Sequence, residues 1–554
     1  MKPSFFEVRT RFSFWQGLGL GGAVLLVFLV AGETVQVSYH GALHATVGQA
    51  VLEHGLQAEN PYHAGVPLRY YLLYPQVASA LGGILGSPWW GFSCLAILAA
   101  FLFPLALHAF TAACGLSVRA CRNAFWVALL GFNAWGWLGF LLSSAEFSLQ
   151  GPPVFSLAPL SFSAWPWHWD MRLQAFFVKF LNVSSFAIAL PFALWAGAGF
   201  LRILRSKEAP GWSWMRVALP AGIALAWNPL VGGVIGLAGF LLLPKFLFRH
   251  GWRSVFLSVF SAALVVLVLA PWLLPLLESA PLGGPTVAVN LGSQLGWDLF
   301  GPLGLLLLAA ACAWQSLDSA ARWGLGALIL PALGLALWGD LPWGNEYKLV
   351  RWLGILCVPL AALFLTERGS RGLRWGLAAF ALPSFILVLV AYLQWGQVAP
   401  DLPWTVRSGH LELRDEEQQS LVEAIQNSPD DAVLLVIPLP GGFKGTVQGH
   451  PWAPVCGRSL FVDALHVHNE GQADLHTRQN RAGAWFAAAD PLQAVAALQA
   501  LRSTLPQRSL VICGPVSAAQ EEAAISSSSQ LLMKTKTWGA WLFPALVNPK
   551  GDEN

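Results

Sequence analysis

The sequence predicts an all-α polytopic membrane domain of about 11 to 13 transmembrane helices, followed by a small α/β soluble domain. Of the 554 residues, 56% are hydrophobic and 11% are charged, whereas soluble domains carry about 25% charged residues. The mean hydropathy is +0.56. These values exclude an ordinary soluble enzyme, a disordered chain and a nucleic-acid-binding protein with a broad basic face.

The third observation is a change in charge density near residue 397. Residues 1–397 contain 13 of the 29 acidic and 21 of the 32 basic residues, so this part is sparsely charged and net basic. Residues 398–554 are slightly acidic and denser in charge. We therefore predict a polytopic transmembrane domain over 1–397, which includes a first outer loop over 33–69, and an extracytoplasmic α/β domain over 398–554.

Uncharged segments predict the individual spans. Residues 12–32 are long enough to cross a bilayer, which takes about 20 residues, and the basic residues before them favour a cytoplasmic N-terminus. Residues 70–118 predict two helices, because Gly-Ser-Pro at 86–88 is a natural break. The segment 217–244 predicts two short spans or one span kinked at Asn228-Pro229. Further spans are predicted near 124–143, 181–201, 254–277, 300–316, 323–339, 349–366 and 375–397.

Basic loops predict the orientation in the inner membrane. The loops at 202–216, 245–253 and 368–374 are each rich in Lys and Arg and are expected in the cytoplasm. The number of spans is 11, or 13 if two further helices lie between 70 and 165. Both numbers place the same loops outside. Those outer loops are 33–69, 166–180, 278–298 and 340–348, and the C-terminal domain follows on the outer side.

Alternating strand and helix patterns predict the fold of the C-terminal part. Apolar runs at 431–438 and 509–514 are bounded by turn residues and predict buried strands. Residues 491–505 and 517–526 have helical spacing, so a small α/β domain is expected. A disulfide between Cys456 and Cys513 is left open, because spacing alone does not fix pairing.

The first outer loop holds four His and three Glu, more than a membrane anchor needs. His40 and His44 are four residues apart and share one face of a helix. Glu33, His40 and His44 are the candidates for catalysis, and Tyr39 and Arg69 for substrate binding. The alternative is an amphipathic helix that lies in the membrane interface.

Two later outer segments carry further candidates for substrate binding. Three Trp at 165–169 are typical of an aromatic belt, but such a belt does not account for the polar residues beside them, which could bind a headgroup. Near residue 345, two cations three residues apart suit a phosphate or pyrophosphate, at a helix end where the positive-inside trend disfavours them. The alternative is snorkelling cations. The candidates are His168, Asp170, Arg172, Asn345, Lys348 and Arg351.

A divalent metal is left open as a cofactor. His40 with His44, and His466 with His468, could each supply two ligands, but no third ligand stands at a telling spacing. The segment 457–478 instead favours a lid over a substrate.

Several of these residues fall in patterns that resemble the GT-C class of integral-membrane glycosyltransferases, and in particular a poorly characterised bacterial branch of it. The patterns are Tyr39-His40-x3-His44, Asn60-Pro61-x3-Gly65-x-Pro67-Leu-x-Tyr70, Trp343-Gly-Asn345-x-x-Lys348, Gly457-Arg458 and Gly471-x-x-Asp474-x3-Arg478. The resemblance implies inverting transfer of a sugar from a polyprenyl-phosphate donor to a glycan, lipid or protein acceptor at the outer face. It also implies a base on the first loop, cations that hold the donor phosphate, and a substrate-binding role for Arg478.

The sequence departs from that branch at two positions. The usual aspartate three residues before the His falls at Val37 or Ser38, so Glu33 or His40 would replace it as the base. The Asp of the later Trp-Asp-Asn motif is Gly344. A catalytically inactive scaffold of envelope assembly and a transporter or lipid carrier are therefore kept as alternatives.

Overall fold

The structure is a computed structural model. It describes residues 5–31, 39–68, 70–138, 176–181, 183–206, 211–277, 286–287, 293–340, 346–398, 404–407, 410–413, 415–436, 452–462, 474–515 and 517–546. The helices are α1 (Phe5–Ala31), α2 (Tyr39–His54), α3 (Leu73–Leu85), α4 (Pro88–Ala113), α5 (Val118–Leu130), α6 (Ser185–Arg205), α7 (Met215–Trp227), α8 (Pro229–Leu277), α9 (Ser293–Ala313), α10 (Ser319–Trp338), α11 (Glu346–Glu367), α12 (Arg371–Val398), α13 (Glu416–Gln426), α14 (Trp452–Cys456), α15 (Leu475–Ala487), α16 (Pro491–Arg502) and α17 (Ala518–Ser526).

The chain forms two compact units. Unit 1 comprises Met1–Gln36, Ser93–Leu273 and Pro285–Ala399, and unit 2 comprises Val37–Phe92, Leu274–Gly284 and Pro400–Asn554. Unit 2 therefore contains residues 37–69 of the predicted first loop together with residues after 400. The sequence could not show this, because the bonds responsible join residues some 400 positions apart and leave no local pattern.

Seven of the described helices are long and apolar enough to cross a membrane. The longest stretch, Pro229–Leu274, is divided at Gly251, which has a φ of 74°. The all-α membrane domain with a small sheet-containing domain is thus confirmed. The predicted count of 11 to 13 spans extends over residues outside the described ranges and stays a prediction.

Helix breaks in this apolar sequence lie at Gly and Pro positions. Gly86 ends α3 in the left-handed conformation, and α4 begins at Pro88, as the Gly-Ser-Pro sequence predicts. Asn228 is extended and separates α7 from α8, so the segment 217–244 forms two helices. The Asn228 side chain accepts a hydrogen bond from the backbone N–H of Val231 (3.2 Å) and donates one to Ser185 Oγ (3.0 Å), which holds the new helix start against α6.

The interior of unit 1 near α11 is packed with aromatic rings. Phe176 belongs to a short 3-10 helix, Phe176–Phe180, and lies 5.0 Å from the ring of Phe103 and 5.3 Å from that of Phe132. Phe132 in turn packs on α11, because a Cβ added at Gly354 would lie 2.5 Å from its ring. Only glycine at 354 therefore lets this ring lie against the helix.

The C-terminal part of unit 2 contains a four-stranded sheet of order β5-β6-β8-β7. Its strands are β5 (Val433–Val436), β6 (Leu510–Gly514), β7 (Gln530–Lys534) and β8 (Gly539–Phe543); the short pairs are β1 (Thr286–Val287) with β2 (Gly339–Asp340), and β3 (Trp404–Arg407) with β4 (His410–Leu413). β5 and β6 pair in parallel and the other pairs of the sheet are antiparallel. The two predicted strands and both predicted helices are present. Cys456 and Cys513 are both buried free thiols.

The core of this sheet includes one residue of the first outer loop. Apolar side chains of β5, β6 and β8 pack with those of α15, α16 and α17, and Ala64 lies among them with no exposed surface. A residue from position 64 thus completes the core of a domain that begins after residue 400.

Candidate functional site

The cations of α11 lie in its first two turns. Lys348 and Arg351 are three residues apart and therefore share a face of the helix. Lys348 is half-buried, whereas Arg351 is 1% exposed. The N-terminal end of a helix carries a partial positive charge, which disfavours cations and attracts anions. Two basic side chains at this end, one of them fully buried, create a positive potential suited to a phosphate group.

The candidate base His44 lies in an aromatic environment on α2. It is 2% exposed, and its ring centroid is 5.1 Å from that of Tyr74, 5.5 Å from Tyr70 and 5.8 Å from Tyr71. Tyr70 donates a hydrogen bond to Tyr71 Oη (2.7 Å). This setting is that of a packed residue that fixes α2 against α3, and the catalytic role of His44 stays a prediction.

The Asn-Pro-x3-Gly-x-Pro pattern forms a compact turn over residues 58–68. Asn60 Oδ1 accepts a hydrogen bond from the backbone N–H of Tyr62 (2.9 Å), as short polar side chains do in turns. Gly65 has a φ of +79°, which side chains rarely adopt. The backbone N–H of Asn60 reaches Val66 O at 2.8 Å and closes the turn. The motif therefore has a structural function in the outer loop.

Backbone hydrogen bonds attach this turn to the C-terminal domain. Ala64 donates from its N–H to Leu460 O (2.9 Å), and Leu460 donates to Pro61 O (2.8 Å). Leu460 itself forms a parallel bridge with Leu434 of β5. The turn is thus connected through one residue to the central sheet.

Ionic side chains reinforce the attachment. Arg478, on α15, is 3% exposed and donates to Ala64 O (2.7 Å), Phe461 O (2.9 Å) and Asp474 Oδ2 (2.5 Å). Asp474 Oδ1 lies 2.8 Å from Nε2 of His63, which is fully buried. We call Arg478, Asp474 and His63 the loop clamp. A separate pair, Arg508 with Glu59 (2.8 Å), joins the same two segments.

Burial and the neighbouring charges set the protonation of the loop-clamp residues. Burial, followed by the nearby Arg478 guanidinium, lowers the pKa of His63 despite its bond to Asp474. The bonds from His63 and Arg478 lower the pKa of Asp474 against its desolvation. Asp474 is therefore ionised and His63 neutral, so Nε2 of His63 donates to the carboxylate. This role was missed in the sequence, where His63 stands in the first loop with no local sign of its distant partner.

Arg478 donates hydrogen bonds to three groups of the chain itself, Ala64 O, Phe461 O and Asp474 Oδ2. Its predicted substrate-binding role stays a prediction. The other predicted site residues fall largely outside the description: Glu33, Arg69, His168, Asp170, Arg172 and Asn345 lie outside the described residues, and the side chains of Tyr39 and His40 are likewise not described. Their roles stay predictions.

The described part of the chain contains no group of three or more His, Cys, Asp or Glu side chains that could hold a metal ion. The pair His466 and His468 lies outside the described residues, and so does the side chain of His40. A divalent metal as a cofactor therefore stays an open prediction.

No protein-family model matches the sequence, and no curated protein matches it. The fold, however, is similar to that of solved membrane proteins. The crystal structure of ArnT from Cupriavidus metallidurans bound to undecaprenyl phosphate matches with a TM-score of 0.52 and 11% identity, over 96% of this chain and 99% of that chain.

A second similar structure is that of the arabinofuranosyltransferase AftD from Mycobacteria, with a TM-score of 0.57 and 14% identity. This match covers 95% of the chain but 40% of AftD. The chain has the GT-C fold. The resemblance drawn from the loop motifs is thereby confirmed at the level of the fold. At identities of 11% and 14%, these structures show the fold alone.

Proposed function

We propose that this GT-C protein is a glycosyltransferase that moves a sugar from a polyprenyl-phosphate donor to an acceptor at the outer face of the membrane. The observation that carries the proposal is the buried Arg351 beside Lys348 at the N-terminal end of α11, in a chain whose fold is that of ArnT. ArnT is crystallised with undecaprenyl phosphate. Cations at a helix end that already attracts anions suit the phosphate of such a lipid.

The reaction is a single displacement at the anomeric carbon. The acceptor hydroxyl attacks this carbon from one face, and the carbon–oxygen bond to the phosphate breaks on the other, so the configuration inverts. The bond's electron pair leaves with the polyprenyl phosphate, whose growing negative charge Lys348 and Arg351 stabilise. The acceptor proton passes to a base on the first outer loop.

Glu33 and His40 are ranked above His44 as this base. Glu33 follows α1 directly, and desolvation at the membrane edge raises the pKa of a carboxyl group toward neutrality. His40 matches the position of the motif, and the ordinary pKa of a histidine, about 6.5, suits the task. His44, by contrast, is enclosed by aromatic rings.

The donor site is tested with the variant Lys348→Met. Binding of undecaprenyl phosphate to the purified full-length protein should weaken, while thermal stability in detergent should stay close to that of the wild type. Lys245→Met is the matched control, because Lys245 lies 5.4 Å from the Trp323 ring on another part of unit 1. Unchanged binding by Lys348→Met would reduce this lysine to an interfacial anchor.

The base is tested with Glu33→Gln and His40→Ala. Loss of a general base should lower turnover by roughly 10²- to 10⁴-fold and leave donor binding unchanged. Glu53→Gln is the control on the same loop, since its carboxylate is exposed and accepts a hydrogen bond from Gln49 (2.9 Å). Normal turnover in both variants would exclude these two residues as the base.

An inactive membrane scaffold is the second candidate, favoured by one observation: Val37 and Ser38 occupy the place of the usual aspartate. The scaffold reading predicts that the wild-type protein binds polyprenyl phosphate or envelope components without turning over any polyprenyl-linked sugar. Turnover by the wild type would exclude it.

The outer location of the C-terminal domain is proposed from the basic loop at 368–374, followed by one span. A reporter that is active only in the cytoplasm, fused after Asn554, should be silent. Activity of this reporter would reverse the topology and place unit 2 on the cytoplasmic side.

A further inference from the structure

Unit 1 holds a second buried cation besides Arg351. Lys179, in the 3-10 helix Phe176–Phe180, is 6% exposed. In the part of unit 1 that the structure describes, these two are the Lys and Arg side chains that are buried. A charged side chain inside a membrane protein is costly, and it usually marks a binding or transport site.

The two buried cations lie on helix faces that both pack near the ring of Phe132. Residues three apart are eclipsed in a 3-10 helix, so Lys179 lies on the same face as Phe176. The ring of Phe176 is 5.3 Å from that of Phe132. Lys179 therefore belongs to the face of its helix that meets Phe132.

The same ring marks the face of α11 that carries Arg351. Phe132 packs directly on Gly354, where a Cβ would come within 2.5 Å of it. Arg351 precedes Gly354 by three residues and lies on the same side of the α-helix, one turn nearer the N-terminus. Helical side chains also lean toward the N-terminus. The ring of Phe132 thus lies against Phe176, on the face that carries Lys179, and against Gly354, on the face that carries Arg351.

We infer that Lys179 and Arg351 bind the same anionic group, the phosphate of the lipid-linked donor. This inference rests on the proposed function and adds a residue to it. Lysine supplies a compact charge and arginine a planar donor fork, so the two can hold different oxygens of one phosphate. Both side chains are buried from water, and a low-dielectric surrounding strengthens the attraction between a cation and a phosphate.

Lys179 lies in the segment 166–180, which the sequence places on the outer side. A positive charge on that side runs against the positive-inside trend. Lys348 and Arg351 also run against this trend, so all three cations lie on the side where the donor phosphate is expected.

The test measures binding of undecaprenyl phosphate, and of uncharged undecaprenol, to the full-length protein in detergent. Lys179→Met keeps the length and apolar stem of the side chain and removes its charge. It should weaken binding of undecaprenyl phosphate by roughly 10- to 150-fold, the usual effect of a lost charged hydrogen bond. Binding of undecaprenol should not change. Lys179→Arg should retain most of the affinity, and Lys245→Met should bind like the wild type.

A double variant tests whether the two cations share one phosphate. The fold loss of affinity for undecaprenyl phosphate in Lys179→Met/Arg351→Met should be smaller than the product of the fold losses in the two single variants. Two residues that bind the same phosphate do not contribute independently. Native affinity in Lys179→Met, or equal weakening of phosphate and alcohol binding, would overturn the inference and leave the proposed function intact. Failure of the wild type to bind undecaprenyl phosphate would overturn both.

Discussion

Replacement of Arg478 by Met tests whether the loop clamp holds the first outer loop. The change leaves two buried carbonyl oxygens, those of Ala64 and Phe461, without their charged donor. The two residues are 0% and 1% exposed, and an unsatisfied buried acceptor costs about 1–3 kcal/mol. The ion pair with Asp474, whose side chain is 40% exposed, adds at most about 1 kcal/mol. The free energy of local opening should therefore fall by roughly 2–7 kcal/mol.

Hydrogen exchange of the full-length protein in detergent measures this opening directly, because amides that are protected by local structure report its stability. The backbone N–H groups of Ala64 and Leu460 bond across the two segments, and their protection factors should drop by at least roughly 30-fold in Arg478→Met. Lys534→Met is the control, since the exposed pair of Lys534 with Glu521 should contribute about 0–1 kcal/mol. Unchanged protection at Ala64 and Leu460 would refute the clamp.

The remaining predictions concern the same unit. The pKa of His63 is lowered, so its contribution to stability is complete above the ordinary value of 6.5 and is lost as the pH falls below 6.5 through the lowered pKa. Protection of Ala64 should therefore decrease as the pH falls below 6.5, and His63→Gln should abolish this dependence; a decrease of the same size in His63→Gln would contradict it. A Cβ at Gly91 would lie 1.8 Å from Ala78 O, whereas one at Gly83 meets nothing within 4 Å. Gly91→Ala should thus lower the unfolding temperature in detergent by several degrees and Gly83→Ala should not; equal temperatures would show that α3 and α4 can separate at no cost.

The sequence predicts those parts of the fold that depend on local composition. Long uncharged segments predict the helices. Gly86, Pro88 and Asn228-Pro229 predict the breaks between them, because glycine frees the backbone and proline restricts it. The strands β5 and β6 are apolar runs between turn residues. β7 and β8 were missed: β7 mixes polar and apolar residues, and β8 is a five-residue segment whose place is set by its pairing with β6 and β7.

The functional residues are less visible in the sequence. The sequence alone identifies Lys348 and Arg351 as candidates, because they lie at the predicted outer end of a helix, where the positive-inside trend disfavours cations. Lys179 was missed because a single Lys among Phe residues resembles an interfacial anchor until its burial is known. The motif assigns Arg478 to substrate binding, and its hydrogen bond to Ala64 O, some 400 residues earlier in the chain, was not foreseen. Such long-range contacts leave no periodic signal.

We propose that the cations of unit 1 hold a polyprenyl phosphate from which a sugar is transferred. The decisive measurement is the release of undecaprenyl phosphate from undecaprenyl-phosphate hexoses and pentoses by the purified wild-type protein, beside Arg351→Met. The wild type should consume at least one of these donors, and Arg351→Met should lose donor binding and turnover together. Consumption no faster than that of heat-inactivated protein, or full turnover by Arg351→Met, would contradict this proposal.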